Sequence, residues 1–346
     1  MKLFNVLIFI WFFVSCSNHN KDPMLNNDLQ LGSEFYCKID QSKIKFQGIK
    51  YFDSNHDIIA FVTYNPNKAF IKSLKNDSVK ELKTDKKIGL EYPSLIKIYD
   101  SKIYIWDSDK LKFFIFNSDG VFIRTLEPID RGIKDFVLHN GKSYFLLSGG
   151  HNKLFAIYNL ESEQIESEYV KPTNEHYVIE TNTKSGFIRQ INHNIFFPDY
   201  GRKGFYKYSL SDRNIQFISL DLPNYKIKNV KNHYNLISNK RKLIHYLSNN
   251  STYYDLINFK KYLGLIATND ILSKKNNYKR GKTIYLFDTI DFKKRAIIEV
   301  NKNDHKLLSI GDISDRKFYF VNKKQDSTKM HFDYSIHKLL IKHDAH

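Results

Sequence analysis

The chain has 346 residues, a formal charge of +17 from 54 Lys and Arg against 37 Asp and Glu, and only 14 Gly, 7 Pro and 2 Cys. Its content of 42% hydrophobic and 15% aromatic residues is too apolar for a disordered chain; two cysteines make no disulfide framework, and so few glycines exclude a collagen-like repeat. The charge is uneven: residues 1–173 carry about 23 basic and 21 acidic side chains and residues 174–346 about 31 and 16, so the excess belongs to the second half.

At the start, Met1-Lys2 supplies a small positive segment and Leu3 to Val14 an apolar run broken only by Asn5. A run of about a dozen residues is too short to span a bilayer and suits a signal-peptide core. Phe13-Val14-Ser15-Cys16 resembles a bacterial lipoprotein box, with Phe13 where leucine is commonest. The resemblance implies a signal peptide over residues 1–15, removed by cleavage, and a diacylglycerol on the sulfur of Cys16. Residues 16–33 would then be the lipidated cysteine and a flexible tether. Ser17, which is not aspartate, resembles the sorting signal for the outer membrane. Cys37 has no neighbouring His or Cys and reads as a buried, inert small hydrophobe.

Residues 34–346 read as one domain. Apolar residues alternate or cluster in short runs rich in β-branched and aromatic side chains, and helical spacing is scarce. A first unit has strands at Lys45 to Tyr51, Ile58 to Tyr64, Ala69 to Leu74 and Val79 to Leu82. The second has Leu95 to Tyr99, Ile103 to Trp106, Lys112 to Phe116 and Val121 to Leu126, with a hairpin turn at Asn117-Ser118-Asp119-Gly120. The third has Lys134 to Leu138, Ser143 to Leu147, Lys153 to Tyr158 and Ile165 to Val170; the fourth Phe187 to Ile191, Asn194 to Phe197, Gly204 to Leu210 and Ile215 to Leu220. A fifth ends with Tyr262 to Ala267, Thr283 to Phe287 and Arg295 to Val300, and a sixth has Lys306 to Ile310, Lys317 to Val321 and Met330 to Ile336.

Four-strand units recurring roughly every 40–50 residues mean an all-β fold, a β-propeller. The length suits six blades of four antiparallel strands, with seven as the alternative. The stretch 225–262, with Tyr246, Tyr253, Tyr254 and Phe259, decides between them, and is read as outer strands of blade five rather than another blade. Glu34 to Ile39 is a strand candidate that would pair with the last blade and close the ring. Ile103-Tyr104-Ile105-Trp106-Asp107, with Phe113 to Phe116 and the Asp119-Gly120 turn, resembles an NHL-type blade. With the lipoprotein-like N-terminus, the chain resembles the six-bladed propeller lipoproteins of Bacteroidetes, a TolB-like group of mostly unassigned function.

Chemistry is sparsely signalled. There is no phosphate-cradling glycine loop, no nucleophile elbow, no His-Glu-x-x-His and no Cys-x-x-Cys. His331, His337 and His343 recur every six residues, which on a strand sets neighbours about 20 Å apart, too far to share a metal. Asp107 and Asp119 read as turn formers. Some propeller hydrolases and lactonases hold calcium in the central channel, and Asp53, Asp107, Asp199 and Asp270 are candidate oxygens for that alternative; no cofactor is otherwise expected.

The loops joining second to third strands change sign along the chain. The blade-two loop is acidic, with Asp107 and Asp109, whereas later loops carry Arg202 and Lys203, then Lys274, Lys275, Lys279, Arg280 and Lys282, then Lys323 and Lys324. Such a lopsided field attracts anionic glycans or an acidic partner surface. Nucleic acid is a poor partner for a chain addressed to the envelope. The sequence therefore favours a lipid-anchored, noncatalytic binding or scaffolding module of the cell envelope, with the channel hydrolase as the alternative.

Overall fold

A computed structural model describes residues 29–39, 44, 46–84, 88–130, 132–148, 152–182, 186–259, 262–268, 282–300, 310–311, 318–325 and 332–343. The signal segment, Cys16, Lys274, Lys275, Lys279, Arg280, Asp270 and His331 lie outside the described residues.

Strand β1 (Leu29–Ile39) is followed by six groups of strands. Blade one is β2 (Gly48–Ser54), β3 (Ile58–Tyr64), β4 (Ala69–Ser73) and β5 (Val79–Glu81); blade two is β6 (Pro93–Tyr99), β7 (Lys102–Asp107), β8 (Lys112–Asn117) and β9 (Phe122–Thr125). Blade three is β10 (Ile133–His139), β11 (Lys142–Leu147), β12 (Phe155–Asn159) and β13 (Gln164–Tyr169); blade four is β14 (Arg189–Ile191), β15 (Asn194–Pro198), β16 (Gly204–Ser209) and β17 (Ile215–Ser219). Blade five is β18 (Thr252–Phe259), β19 (Tyr262–Thr268), β20 (Lys282–Asp288) and β21 (Lys294–Val300). The last sheet runs β22 (Ile310–Gly311), β23 (Phe318–Gln325), β24 (Phe332–His343) and then β1. Six four-stranded sheets make a six-bladed propeller, and the seven-blade alternative falls.

Ring closure follows the expected route with a longer strand. β1 pairs antiparallel with β24, from Leu29 opposite His343 to Ile39 opposite Tyr334. It starts at Leu29 instead of Glu34, so residues 29–33 belong to the sheet and not to a tether. Cys37 lies in this strand opposite Ile336; its burial is outside what is described. The N-terminal segment thus covers what would otherwise be an open sheet edge, and it ties the two ends of the chain together.

Position within a blade dictates composition. The middle strands are packed on both faces by neighbouring blades, so β3 (IIAFVTY), β8 (KFFIFN) and β11 (KSYFLL) are almost continuously buried and apolar. The outermost strands β9 (FIRT) and β13 (QIESEY) are largely polar because one face meets water. The core is therefore a series of wedges between blades; Phe155 of blade three, for example, stacks on Phe197 of blade four with ring centroids 4.7 Å apart. At Gly120, in the predicted hairpin turn, φ is +73°, which glycine adopts without strain.

In each meander the turns between strands one and two and between three and four lie at one end, here called the turn face. The loops between strands two and three and the blade-to-blade connections lie at the other, the connection face. Among the described residues three helices sit in those connections, contrary to the strand-only expectation: α1 (Asn174–Asn182) before blade four, and α2 (His233–Ile237) and α3 (Lys240–Ser248) before blade five. The stretch 225–262 is thus two helices and the first strand of blade five, not its outer strands. In α3, Leu243, Tyr246 and Leu247 recur at helical spacing, Tyr246 and Leu247 are buried, and Asn239 caps the N-terminus by accepting from the Lys242 N–H.

Two basic-loop assignments also change. Lys282 is the first residue of β20, opposite Val300, and Lys323 and Lys324 lie within β23, opposite Tyr334 and Asp333. The backbone ladder continues through them because pairing uses N–H and C=O groups and does not require apolar side chains. Both lysines stand near the end of β23 that leads to the connection face.

Candidate functional site

The innermost strand of each blade faces the axis, where a propeller offers its central channel. Five of the six blades place a charged or phenolic side chain there. Arg189 of β14 is the centre: its Nη1 lies 2.7 Å from Asp135 Oδ2 of β10, and its Nη2 lies 2.7 Å from Asp255 Oδ2 of β18. From across the axis Tyr51 Oη of β2 donates to Asp135 Oδ1 at 3.0 Å, and Lys97 Nζ of β6 lies 3.9 Å from the same oxygen and 5.1 Å from the Tyr51 ring. Asp135 is fully buried, Arg189 is 2% exposed and Lys97 5%.

Local backbone geometry aims this set inward. The ladders of β2, β6, β10 and β18 all shift register at matching places, and Tyr51, Asp135 and Asp255 each follow the shift directly. A bulge re-aims the next side chain. Asp53, Asp135 and Asp255 each accept the backbone N–H of the following residue, at 2.9, 2.9 and 2.8 Å. Asp53 also accepts from Ile98 N–H of blade two, and Asp135 from Ile188 N–H at the entry to blade four, so these carboxylates stitch one blade to the next.

Electrostatics keep the set closed. Burial would strip charge from Lys97, but the carboxylates of Asp135 and Asp53, with the Tyr51 oxygen beside it, hold its ammonium charged above the usual lysine range. Burial, reinforced by Asp135, keeps the Tyr51 phenol protonated. Burial pushes Asp255 up to about 6 against the pull of Arg189. Charges buried this deeply persist only when paired, and here two cations answer two carboxylates with a phenol between them. Where a channel metal would need converging free oxygens, a guanidinium already stands between the two aspartates.

Of the expected channel oxygens, Asp270 lies outside the described residues and the other three are held by local hydrogen bonds. Asp53 is committed to backbone N–H groups as above. Asp107, at the end of β7, accepts four: Glu91 and Tyr92 at 2.7 and 3.0 Å, and Asp109 and Lys110 both at 3.1 Å. It is the turn former the sequence suggests. Asp199, directly after β15, accepts from Gly201 N–H and Thr173 Oγ1, both at 3.0 Å. Among the described residues no three His, Cys, Asp or Glu side chains are grouped closely enough to hold a metal ion.

Arg202 and Lys203 stand exposed on the connection face, in the loop between β15 and β16. That loop is fastened from several sides. Arg202 Nε lies 3.5 Å from Asp199 Oδ2 and its guanidinium 5.3 Å from the Phe217 ring centroid. The Arg202 carbonyl accepts from Tyr253 Oη at 2.7 Å, and Lys203 Nζ donates to the Leu222 carbonyl at 3.3 Å. At Gly204, where φ is +147°, a Cβ would meet the Ile218 carbonyl oxygen at 2.0 Å, so only glycine ends the loop in this way. The two cations are therefore held on a rigid support, which lowers the ordering cost of binding.

Sequence reasoning missed Tyr51, Lys97, Asp135, Arg189 and Asp255. The signal was present as an ionisable residue inside the first apolar run of successive repeats: Leu95-Ile96-Lys97-Ile98, Lys134-Asp135-Phe136-Val137, Ile188-Arg189-Gln190, Tyr254-Asp255-Leu256. One such residue in a strand is unremarkable. Its recurrence in the strand nearest the axis marks a shared centre.

These features define a six-bladed propeller whose axis, among the described residues, carries a buried ion-pair network. In sequence, residues 47–170 match the family model DUF5128, described as a 6-bladed beta-propeller. No functionally curated protein matches the chain. Among solved structures it is similar to a DUF4221 family member from Bacteroides vulgatus, at 11% identity and TM-score 0.65, covering 92% of this chain and 99% of that one. It is equally similar to a Bacteroides fragilis protein assigned to the exported class, at 11% identity and TM-score 0.66, covering 92% and 96%. The resemblance to Bacteroidetes six-bladed propellers is borne out; at this identity the structural likenesses speak to fold alone.

Proposed function

We propose that the protein is a lipid-anchored, noncatalytic binding or scaffolding module of the bacterial cell envelope that presents its loops to a protein partner or an anionic glycan. The observation that carries this reading is the axial network: the ionisable groups converging there face one another as ion pairs and are out of solvent, which leaves surface loops on a rigid ring as the means of recognition. The signal-type N-terminus ending at Cys16 supports an envelope address at the outer membrane, as does the export assigned to the Bacteroides fragilis neighbour.

The partner would meet the basic loops of the connection face, with Arg202 and Lys203 joined by Lys274, Lys275, Lys279 and Arg280. Retention on immobilised polygalacturonate, measured against salt, tests this. Replacing all six cations by Ser removes interactions of about 0.5 kcal/mol each, so affinity at low salt falls on the order of 100-fold and its salt dependence flattens. Unchanged retention would sink the basic-face assignment. Palmitate incorporation that disappears in Cys16→Ala supports the anchor, and incorporation that persists refutes it.

A further inference from the structure

The turn face carries a feature that the reading above does not use. Between blades three and four, the interface that is packed shut near the axis opens outward into a cleft of about 360 Å³. This is the size range of small-molecule sites. Its floor is aromatic: the Tyr144 and Tyr208 ring centroids are 5.9 Å apart and those of Tyr169 and Tyr208 6.2 Å. The rings of Tyr144 and Tyr208 are buried, at 6% and 3% exposure, yet none of the three hydroxyls hydrogen-bonds to another described residue. Burial pushes the Tyr144 hydroxyl up to about 12 and raises that of Tyr208, so both stay protonated and able to donate.

The rim adds cations. Arg213, in the turn between β16 and β17, lines the cleft and makes no ion pair among the described residues; its backbone is fixed by Arg213 N–H donating to the Ser209 carbonyl at 2.9 Å. Lys142 lines it too, paired with Glu166, whose other oxygen accepts from Asn159 Nδ2 at 2.9 Å. Glu166 is thus already satisfied. His139 completes the rim, with Nδ1 at 3.1 Å from Gln190 Nε2, an amide donor, so that Nδ1 accepts and Nε2–H is the one donor of a neutral ring. Burial and the nearby His193 lower its pKa in keeping with that state.

Asn140 and Ser167 also line the cleft and can donate or accept, but with the tyrosine hydroxyls, the His139 Nε2–H and a guanidinium that has no ion pair among the described residues, donors predominate around a tyrosine floor. An occupant must supply acceptors, a negative charge and a ring whose C–H face can lie on the aromatic surface. We infer that the cleft between blades three and four binds a sugar acid, a pyranose-sized ring bearing a carboxylate, with Arg213 taking the carboxylate and the tyrosine hydroxyls taking ring oxygens. A carboxylate on a guanidinium is a charge-assisted, two-pronged contact.

Ligand-observed saturation-transfer NMR on the folded protein tests this, with sodium D-galacturonate as probe and D-galactose and sodium acetate as matched controls lacking the carboxylate or the ring. Galacturonate binds more tightly than either. Arg213→Gln weakens it about tenfold or more, the loss expected for a charged hydrogen bond, and Tyr208→Phe, which keeps the ring, about fivefold. Circular dichroism confirms that both variants keep the fold. Equal binding of galactose or acetate, no galacturonate signal, or an affinity unmoved by Arg213→Gln overturns the inference. The site lies on the face opposite Arg202 and Lys203, so the six-cation variant should bind galacturonate as the parent does. Failure here leaves the basic-face reading standing; because polygalacturonate also offers the cleft its ligand, the retention test of the basic face is run in the Arg213→Gln background, so the two readings fail separately.

Discussion

Asp255 sits where burial and Arg189 pull in opposite directions, and burial prevails: its pKa rises from 3.8 to about 6. The folded protein then keeps the Asp255 proton to about pH 6, whereas the unfolded chain loses it near pH 4. Below pH 4 the group is protonated in both states and its contribution to stability is full. As pH rises from 4 through 6 the unfolded chain ionises freely while the native state must bear a buried carboxylate, so this contribution falls, by something on the order of 3 kcal/mol. Urea unfolding of the parent and of Asp255→Asn at pH 4.5 and pH 7 should show the parent losing stability relative to the variant across that window. A difference that stays constant would contradict the assignment. Such residues were hard to find from sequence because pattern reading looks for apolar periodicity and discounts a lone charge inside a strand. The same bias hid the cleft: Tyr144 and Tyr208 lie inside apolar strand runs, and only their placement on facing sides of two blades shows that they line a shared space.

Strands were legible because a blade repeats a physical environment as well as a sequence pattern. Middle strands must be apolar on both faces, outer strands on one, and the hairpin turns need residues that accept positive φ, such as Gly120 at +73° and Gly141 at +71°. Ends slipped, by three residues at β2, which starts at Gly48 and not Lys45, and by five at β1, which runs further toward the N-terminus than its apolar pattern suggested. The helices were not legible. Residues 233–248 occupy only a few turns, their aromatic residues match the composition of the neighbouring strands, and α2 has no buried residue to set a period. Their caps, Asn232 and Asn239, were the available signal, each accepting from the backbone N–H three residues on. Lys323 and Lys324 show the converse error, since a pair of lysines reads as a loop but a strand near its end tolerates both.

At the scale of the whole molecule, two devices hold the ring. The N-terminal strand β1 closes it at the rim by completing the last sheet, and the network around Arg189 ties five blades together at the axis. A ring fastened at both radii changes shape little, which suits presentation of fixed surfaces and concentrates recognition on the two faces. The uneven charge seen in the sequence acquires a location in part: Arg202 and Lys203 project from the connection face, while the cleft with Arg213 and Lys142 opens on the other. The central claim is that recognition belongs to these surfaces and that the axis serves structure alone. Retention on polygalacturonate of the variant Lys97→Met, Asp135→Asn, Arg189→Met, Asp255→Asn tests it most directly, since the substitutions remove two positive and two negative charges and leave the net charge unchanged. The folded variant is predicted to elute at the same salt concentration as the parent while its resistance to urea changes. A folded variant that loses retention would contradict the account, because it would place the binding chemistry at the axis.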